Sequence, residues 1–218
     1  LGSFSAITRF LSYPKDCKEM FDIALAGPLL STLASLALLV DGLVETLSLP
    51  MTPEALAGLP LVPAAALSSS ALVSAVTSLV DPALLDAATS VTLHPYAVAG
   101  ITGLLLNALN LIQVGKIDGG RILTAAVGRN TAGITGSLVL VAMAISGLAG
   151  DGLDANLFLY FGILIILFQR TQEIPARNKI TELDNGRFAV FIGVLVLVCA
   201  ILFPLPGGGG GGYEPFNL

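Results

Sequence analysis

Charge is what this sequence most lacks. Of 218 residues only 11% are Asp, Glu, Lys or Arg, while 55% are hydrophobic. A soluble domain carries about a quarter charged residues, so this chain has too few polar groups to cover a folded surface in water. A bilayer removes that demand, and the composition points to a polytopic membrane protein. Basic residues are scarcer than acidic ones, 10 against 15, for a formal net charge of −5. That balance argues against nucleic acid, a partner that needs clustered cations. Cysteine is nearly absent. Cys17 and Cys199 are far apart and offer no disulfide or metal-binding spacing; Cys199, inside an apolar run, reads as a small packing residue. Histidine is scarcer still: His94 stands alone, which excludes a His-rich metal site built from this chain. A starting Met and a basic leader with a small-residue cleavage site are also missing, since the sequence opens on Leu1. The expectation is a fragment, with any targeting segment upstream or absent.

What the sequence has instead is long apolar runs. A spanning helix needs roughly 20 mostly apolar residues. Candidate spans run from about Ile23 to Val40 (with a continuation to Leu49), Pro95 to Val114, Thr131 to Ala149, Leu153 to Phe168 and Phe188 to Pro204. The stretch Leu61–Val80, with Pro63 and the cluster Ser68-Ser69-Ser70, is ambiguous: it reads as a span, an interfacial segment or a re-entrant one. The basic residues discriminate. Arg9, Lys15, Lys18, Lys116, Arg121, Arg129, Arg170, Arg177, Lys179 and Arg187 all fall on one side if five segments cross. The opposite loops, Asp41–Leu93 and Gly150–Asp154, hold acidic residues and no Lys or Arg. The positive-inside bias therefore favours five spans, a non-spanning Leu61–Val80, and a basic side facing the cytosol or an organelle equivalent such as a stroma. The fold class expected is an all-α, polytopic transmembrane helical bundle of about five spanning helices plus one peripheral or re-entrant segment. Pro50, Pro53, Pro60 and Pro63 mark a loop. Residues 1–205 read as one membrane domain, and 206–218, with glycine at every position from Gly207 to Gly212, as a flexible tail.

Few residues are left to carry chemistry. Asp118, in Gly115-Lys116-Ile117-Asp118-Gly119-Gly120-Arg121, reads in two ways: as an Asp-Gly turn in which it caps a helix starting at Arg121, or as a costly carboxylate at a membrane boundary held there for function. A carboxylate is also a good ligand for a divalent cation. Asn107 and Asn110 share one helix face at three-residue spacing and serve either as interhelical hydrogen-bonding groups or in an active site. In Ala26-Gly27-Pro28, the proline suits a helix start and the glycine close helix approach. His94 precedes Pro95 at the far end of a helix from Asp118, about 30 Å of hydrocarbon away, and reads as a helix-start residue. Pro175, in Glu173-Ile174-Pro175, stops the fourth helix, and Thr181 and Asp184 have capping-box spacing.

Together these strings resemble a known family. Asn110-Leu111-Ile112-Gln113-Val114-Gly115-Lys116-Ile117-Asp118-Gly119-Gly120-Arg121 resembles the Asn…Pro…Asp-Gly motif of the site-2 proteases (peptidase M50), which are intramembrane zinc metalloproteases. Ala26-Gly27-Pro28 resembles the Ala-Gly-Pro after their zinc-binding helix. Leu1-Gly2-Ser3-Phe4-Ser5-Ala6-Ile7-Thr8, Asp22-Ile23-Ala24-Leu25, His94-Pro95 and Glu173-Ile174-Pro175 with Ile180-Thr181-Glu182-Leu183-Asp184 narrow the resemblance to the EGY branch (ethylene-dependent gravitropism-deficient and yellow-green), whose plant members are chloroplast proteins. The resemblance runs through most of residues 1–205.

It implies a metalloendopeptidase with zinc as cofactor, held by two histidines of a His-Glu-x-x-His helix and by Asp118 as third ligand. Asn110 would support the substrate or its oxyanion. The zinc would bring a water's pKa to about 7, and the glutamate of the helix motif would act as its base. The partners implied are membrane lipid and a substrate protein whose transmembrane helix is cleaved after local unwinding, and the location implied is a thylakoid or envelope membrane. The chain departs from the pattern twice. Gln113 stands where the family has proline, so a looser bend is expected before Asp118. The sequence also contains no His-Glu-x-x-His, so these residues are not expected to be active alone. The alternatives are a non-catalytic scaffold of the same family and a transporter subunit using Asp118 and Arg121 as intramembrane charges.

Overall fold

The computed structural model describes residues 13–48, 58–86, 89–149, 153–168, 176–178 and 183–204. The strings Leu1–Thr8, Glu173-Ile174-Pro175 and Thr181-Glu182, the prolines Pro50 and Pro53, and the glycine tail lie outside these residues. The described chain is mostly helical. Its elements are α1 (Cys17–Ser48), β1 (Leu61–Pro63), α2 (Ala64–Ser68), α3 (Ala71–Val80), a 3-10 turn (Pro82–Leu84), β2 (Ser90–Thr92), α4 (Pro95–Asn110), α5 (Asp118–Val127), α6 (Arg129–Ala149), α7 (Leu153–Phe168) and α8 (Asn185–Leu202).

Helix α1 begins six residues before the apolar run does. Asp16 is the reason: its Oδ1 accepts the Glu19 amide at 2.8 Å, and Glu19 Oε2 accepts the Lys15 amide at 2.6 Å. This reciprocal satisfaction of the first free amides is a capping-box arrangement. Pro28 is consequently an interior residue of α1, not a start residue, and it cannot donate to the turn before it. Among the described residues, a Cβ placed on Gly27 meets no atom within 4 Å.

Among the described residues, three helices are long and apolar enough to cross a membrane by length and composition: α1, α6 and α8. The other two expected spans, α4 and α7, are helices of 16 residues each, about 24 Å long. The ambiguous Leu61–Val80 is not one continuous helix. Prolines at 60 and 63 deny helical donors there, and β1 pairs antiparallel with β2 instead, in the register Leu61↔Thr92, Val62↔Val91 and Pro63↔Ser90. This small sheet sits within a chain that is otherwise mostly helical, as expected. Ser70 then caps α3 by accepting the Val73 amide at 3.3 Å, and Asp81 starts the 3-10 turn by accepting the Ala83 amide at 3.0 Å.

The chain forms two compact units, one of residues 30–108 and 196–218, the other of residues 1–29 and 109–195. In the first, Leu39, Leu43, Leu67, Val73, Leu93, Ala97, Leu104, Ala108 and Ile201 form a buried apolar cluster. Here α1 and α4 approach backbone to backbone: a Cβ on Gly42 would collide with Ala97, and one on Gly100 with Leu39 and Ser35. Small residues permit such seams between membrane helices. His94 starts α4. Its amide donates to Thr46 Oγ1 at 2.9 Å, its Nδ1 accepts the Tyr96 amide at 3.3 Å, and the His94 and Tyr96 rings meet edge to face at 4.7 Å.

In the second unit, α6 packs on α5 and α7. The chain leading into α1 pairs with residues 177 and 178: the Arg177 amide donates to the Pro14 carbonyl at 2.9 Å and the Asn178 amide to that of Lys15 at 3.0 Å. Arg187 grips Asp22 with Nε at 2.9 Å and Nη2 at 2.7 Å, and Asp184 with Nη1 at 2.6 Å. Asp184 immediately precedes α8, and its carbonyl accepts the Phe188 amide at 3.0 Å. It therefore stands at the cap position itself, not three residues inside a capping box. The hydrogen bond from Arg187 holds the Asp184 carboxyl below its ordinary pKa. Cys199, expected to pack, is exposed. The buried stripe of α8 runs through Phe191, Val194, Val198 and Ile201, and residue 199 falls off it.

Candidate active site

The motif Asn110–Arg121 forms a helix end, a buried turn and a helix start. Helix α4 stops at Asn110. The next seven residues form a turn with hydrogen bonds from the Ile112 amide to the Leu109 carbonyl, 3.2 Å, and from the Val114 amide to the Ile112 carbonyl, 2.8 Å. Gly115 has φ +60°, a left-handed conformation that costs other residues about 1–2 kcal/mol. Leu111, Ile112, Val114 and Ile117 are buried and anchor the turn. Gln113, at the position where the missing proline led to an expected looser bend, bonds across the turn. Its Nε2 donates to the Leu111 carbonyl at 3.0 Å, closing the bend with a side chain in place of a ring.

Helix α5 starts at Asp118, with Ile117 as the cap residue and no side-chain cap bond. The reading of Asp118 as the cap of a helix from Arg121 is thus corrected. The Ile117 carbonyl already accepts the Arg121 amide at 3.1 Å, so Asp118 occupies the first helical position, where the free amides favour negative charge. The helix can start this early because of the two glycines. A Cβ on Gly119 would collide with the carbonyls of Leu111 and Ile112, and one on Gly120 with those of Val114 and Gly115. Their role is to let α5 sit directly on the turn.

Asp118 is about a quarter exposed, its Oδ1 lies 3.4 Å from Nη1 of Arg121, and the Arg121 side chain is only 4% exposed. Burial raises the Asp118 pKa above the ordinary carboxylate value, and the Arg121 charge works against that rise. In the sequence Arg121 is a motif residue and a candidate ion-path charge. Its part as buried partner of Asp118 was legible in the i,i+3 spacing of opposite charges. Asn110 Oδ1 is buried and has no hydrogen-bond partner among the described residues. Asn107 differs: its Oδ1 accepts Ser31 Oγ at 2.6 Å, the interhelical role between α1 and α4. Beside the turn, a cleft of about 140 Å³ is lined by Gln113, Gly115, Gly120, Thr124, Gly133 and Ser137.

The donor chemistry tests what this site can hold. A half-buried carboxylate at a helix start suits one ligand of a divalent cation. No group of three or more His, Cys, Asp or Glu comes together among the described residues. The residues present therefore fit one protein ligand of a metal site and not the full set.

The chain is 35% identical to the "Probable zinc metalloprotease EGY1, chloroplastic" of Arabidopsis thaliana over 94% of its own length and 36% of that protein. It is 32% identical to the "Probable zinc metalloprotease EGY2, chloroplastic" of the same plant, over 94% of this chain and 34% of the relative. With the "Probable zinc metalloprotease EGY3, chloroplastic" of Oryza sativa subsp. indica the identity is 30% over 95% of this chain and 36% of the relative. The chain thus spans about a third of the length of these relatives. No solved structure matches it with significance. The sequence profile of peptidase family M50 matches residues 2–148, the turn and Asp118 included. The chain belongs to peptidase family M50.

Proposed function

We propose that this chain contributes part of the active centre of an intramembrane zinc metalloprotease, with Asp118 as one zinc ligand and Asn110 as the residue that holds the substrate peptide or its oxyanion. The carrying observation is the seat of Asp118. Two glycines press the start of α5 onto a hydrogen-bonded turn and leave a half-buried carboxylate at a helix N-terminus. Relatives named zinc metalloproteases support the reading. Bound zinc would supply a Lewis acid and bring a water's pKa to about 7. The remaining ligands and the catalytic base would come from a His-Glu-x-x-His helix of the complete protein, because these 218 residues contain one histidine and no such motif.

The chain's own residues would do the rest. Ligation requires Asp118 ionised; Arg121 and the helix N-terminus favour that form against the burial that opposes it. Asn110 keeps a buried amide oxygen without a partner among the described residues, an acceptor suited to a peptide N–H of an unwound substrate, while its NH2 suits a developing oxyanion. In this reading α1, α4, α6, α7 and α8 cross the membrane with their basic loops on one side, Leu61–Val80 stays outside the spans, and 206–218 is a flexible tail. The membrane is a chloroplast one, as the names of the relatives suggest, and the substrates are membrane proteins.

The test is proteolysis. The complete protein, reconstituted with a transmembrane substrate, is expected to cleave it, to lose activity to a zinc chelator, and to lose it on Asp118→Ala. Unchanged cleavage by Asp118→Ala would remove Asp118 from the site, and a complete protein without His-Glu-x-x-His would decide for the non-catalytic scaffold.

A further inference from the structure

We infer that Gln113 is a positioning residue that fixes where the Asp118 carboxylate sits. The inference rests on the proposed ligand role of Asp118.

The carbonyl of Leu111 links the two residues. On one side it lies against Gly119, the residue after Asp118, so closely that a Cβ would collide with it. A carbonyl facing a Cα–H gains only a weak interaction from that contact. The strong donor comes from the other side, where Gln113 Nε2 reaches the same oxygen at 3.0 Å. The bond spans two residues and closes a small ring across the bend; together with the Ile112 amide, which donates to the Leu109 carbonyl at 3.2 Å, it holds the 111–112 peptide from both ends.

The main chain of Gln113 is held as well. A Cβ on Gly136 of α6 would lie 3.3 Å from the Gln113 carbonyl, a tight contact that would need one of them to give by a few tenths of an ångström. Residue 113 is therefore clamped by its side chain to the turn and by its backbone against α6. Losing the side-chain donor leaves the 111–112 peptide held by the Ile112 amide alone, so the carbonyl on which Gly119 rests can tilt. Asp118, one residue before, would then present its carboxylate at a changed angle. Packing alone does not replace the amide, because what it supplies is a directed donor.

The complete protein tests this with cobalt(II) as a probe, whose visible spectrum reports the geometry of its ligands, and with zinc affinity from competition against a chromophoric chelator. Gln113→Met keeps the length and removes the donor; Gln113→Lys restores a donor of similar reach. Gln113→Met is expected to change the cobalt spectrum and weaken zinc about fivefold, and Gln113→Lys to recover most of both. A Gln113→Met protein with wild-type spectrum and affinity would overturn the inference, as would one that Gln113→Lys does not rescue. Asp118→Asn separates the two levels. If it alters the spectrum while Gln113→Met does not, only the positioning role falls; if it alters nothing, the ligand role falls too.

Discussion

The Cα of Gly119 rests against the main-chain carbonyl of Leu111 with no room for a side chain between them. The contact joins the start of α5 to the turn before it, so any group added at 119 must push Asp118 away from its seat. Gly119→Ala is expected to destabilise the protein by roughly 1–3 kcal/mol, the usual cost of overpacking. Gly162→Ala is the control, because a Cβ there meets nothing within 4 Å. Thermal unfolding in detergent or lipid checks both, and equal melting points would remove the close-packing account of the Asp-Gly-Gly string.

Gly115 is held for a different reason, its φ of +60°. Gly115→Ala should cost about 1–2 kcal/mol, whereas Gly115→Asn should cost less, since asparagine enters the left-handed region more readily. The order of the melting points, wild type above Asn above Ala, is the readout. An alanine variant as stable as wild type would mean that the turn does not need the left-handed residue.

Asn107 and Asn110 should separate cleanly in mutants. Ser31 Oγ donates to Asn107 Oδ1 at 2.6 Å, and interhelical bonds of this kind couple by about 0.6 kcal/mol on average. A double-mutant cycle of Ser31→Ala and Asn107→Ala should return a coupling of that size with little effect on catalysis. Among the described residues, Asn110 Oδ1 has no partner to lose. Asn110→Ala should leave stability near wild type and lower kcat/KM by about 100-fold, the scale of a lost oxyanion-hole group. The reverse assignment of effects would exchange the roles of the two asparagines.

The ion cluster at the start of α8 sets a dependence on acid. The Arg187 hydrogen bond lowers the Asp184 pKa in the folded protein. A depressed carboxylate contributes stability that is present above its unfolded value, about 3.9, and is lost as pH falls through the lower folded value. Arg187→Gln should flatten the stability profile in that acid range, and added salt should weaken the same contribution because the pair is exposed. An unchanged acid limb in Arg187→Gln would exclude the cluster as its source.

How much of this was legible follows from the range of each interaction. The apolar run of α7 gives its bounds, Leu153–Phe168, directly. The run of α1 misleads, because the helix is started by Asp16 and Glu19 in a charged stretch where hydropathy says nothing. The β1–β2 pairing was invisible: each strand has three residues, too short for a period of two, and the partners are remote in sequence. Asp118 and Asn110 stood out through their motif. Their seat did not, since it depends on main-chain carbonyls at 111, 112, 114 and 115 that every sequence possesses. Gln113 showed as a missing proline, and its hydrogen bond to Leu111 could only be seen once the turn was built.

Zinc affinity of the complete protein, compared between wild type and Asp118→Asn, tests the central claim most directly. Asparagine keeps the size of the side chain and an oxygen for Arg121 while removing the ligand charge. The affinity is expected to fall by more than about 100-fold, beyond the 10- to 100-fold that an outer-shell partner is worth. An affinity within about twofold of wild type, a difference of about 0.4 kcal/mol, would contradict the assignment of Asp118 as a zinc ligand.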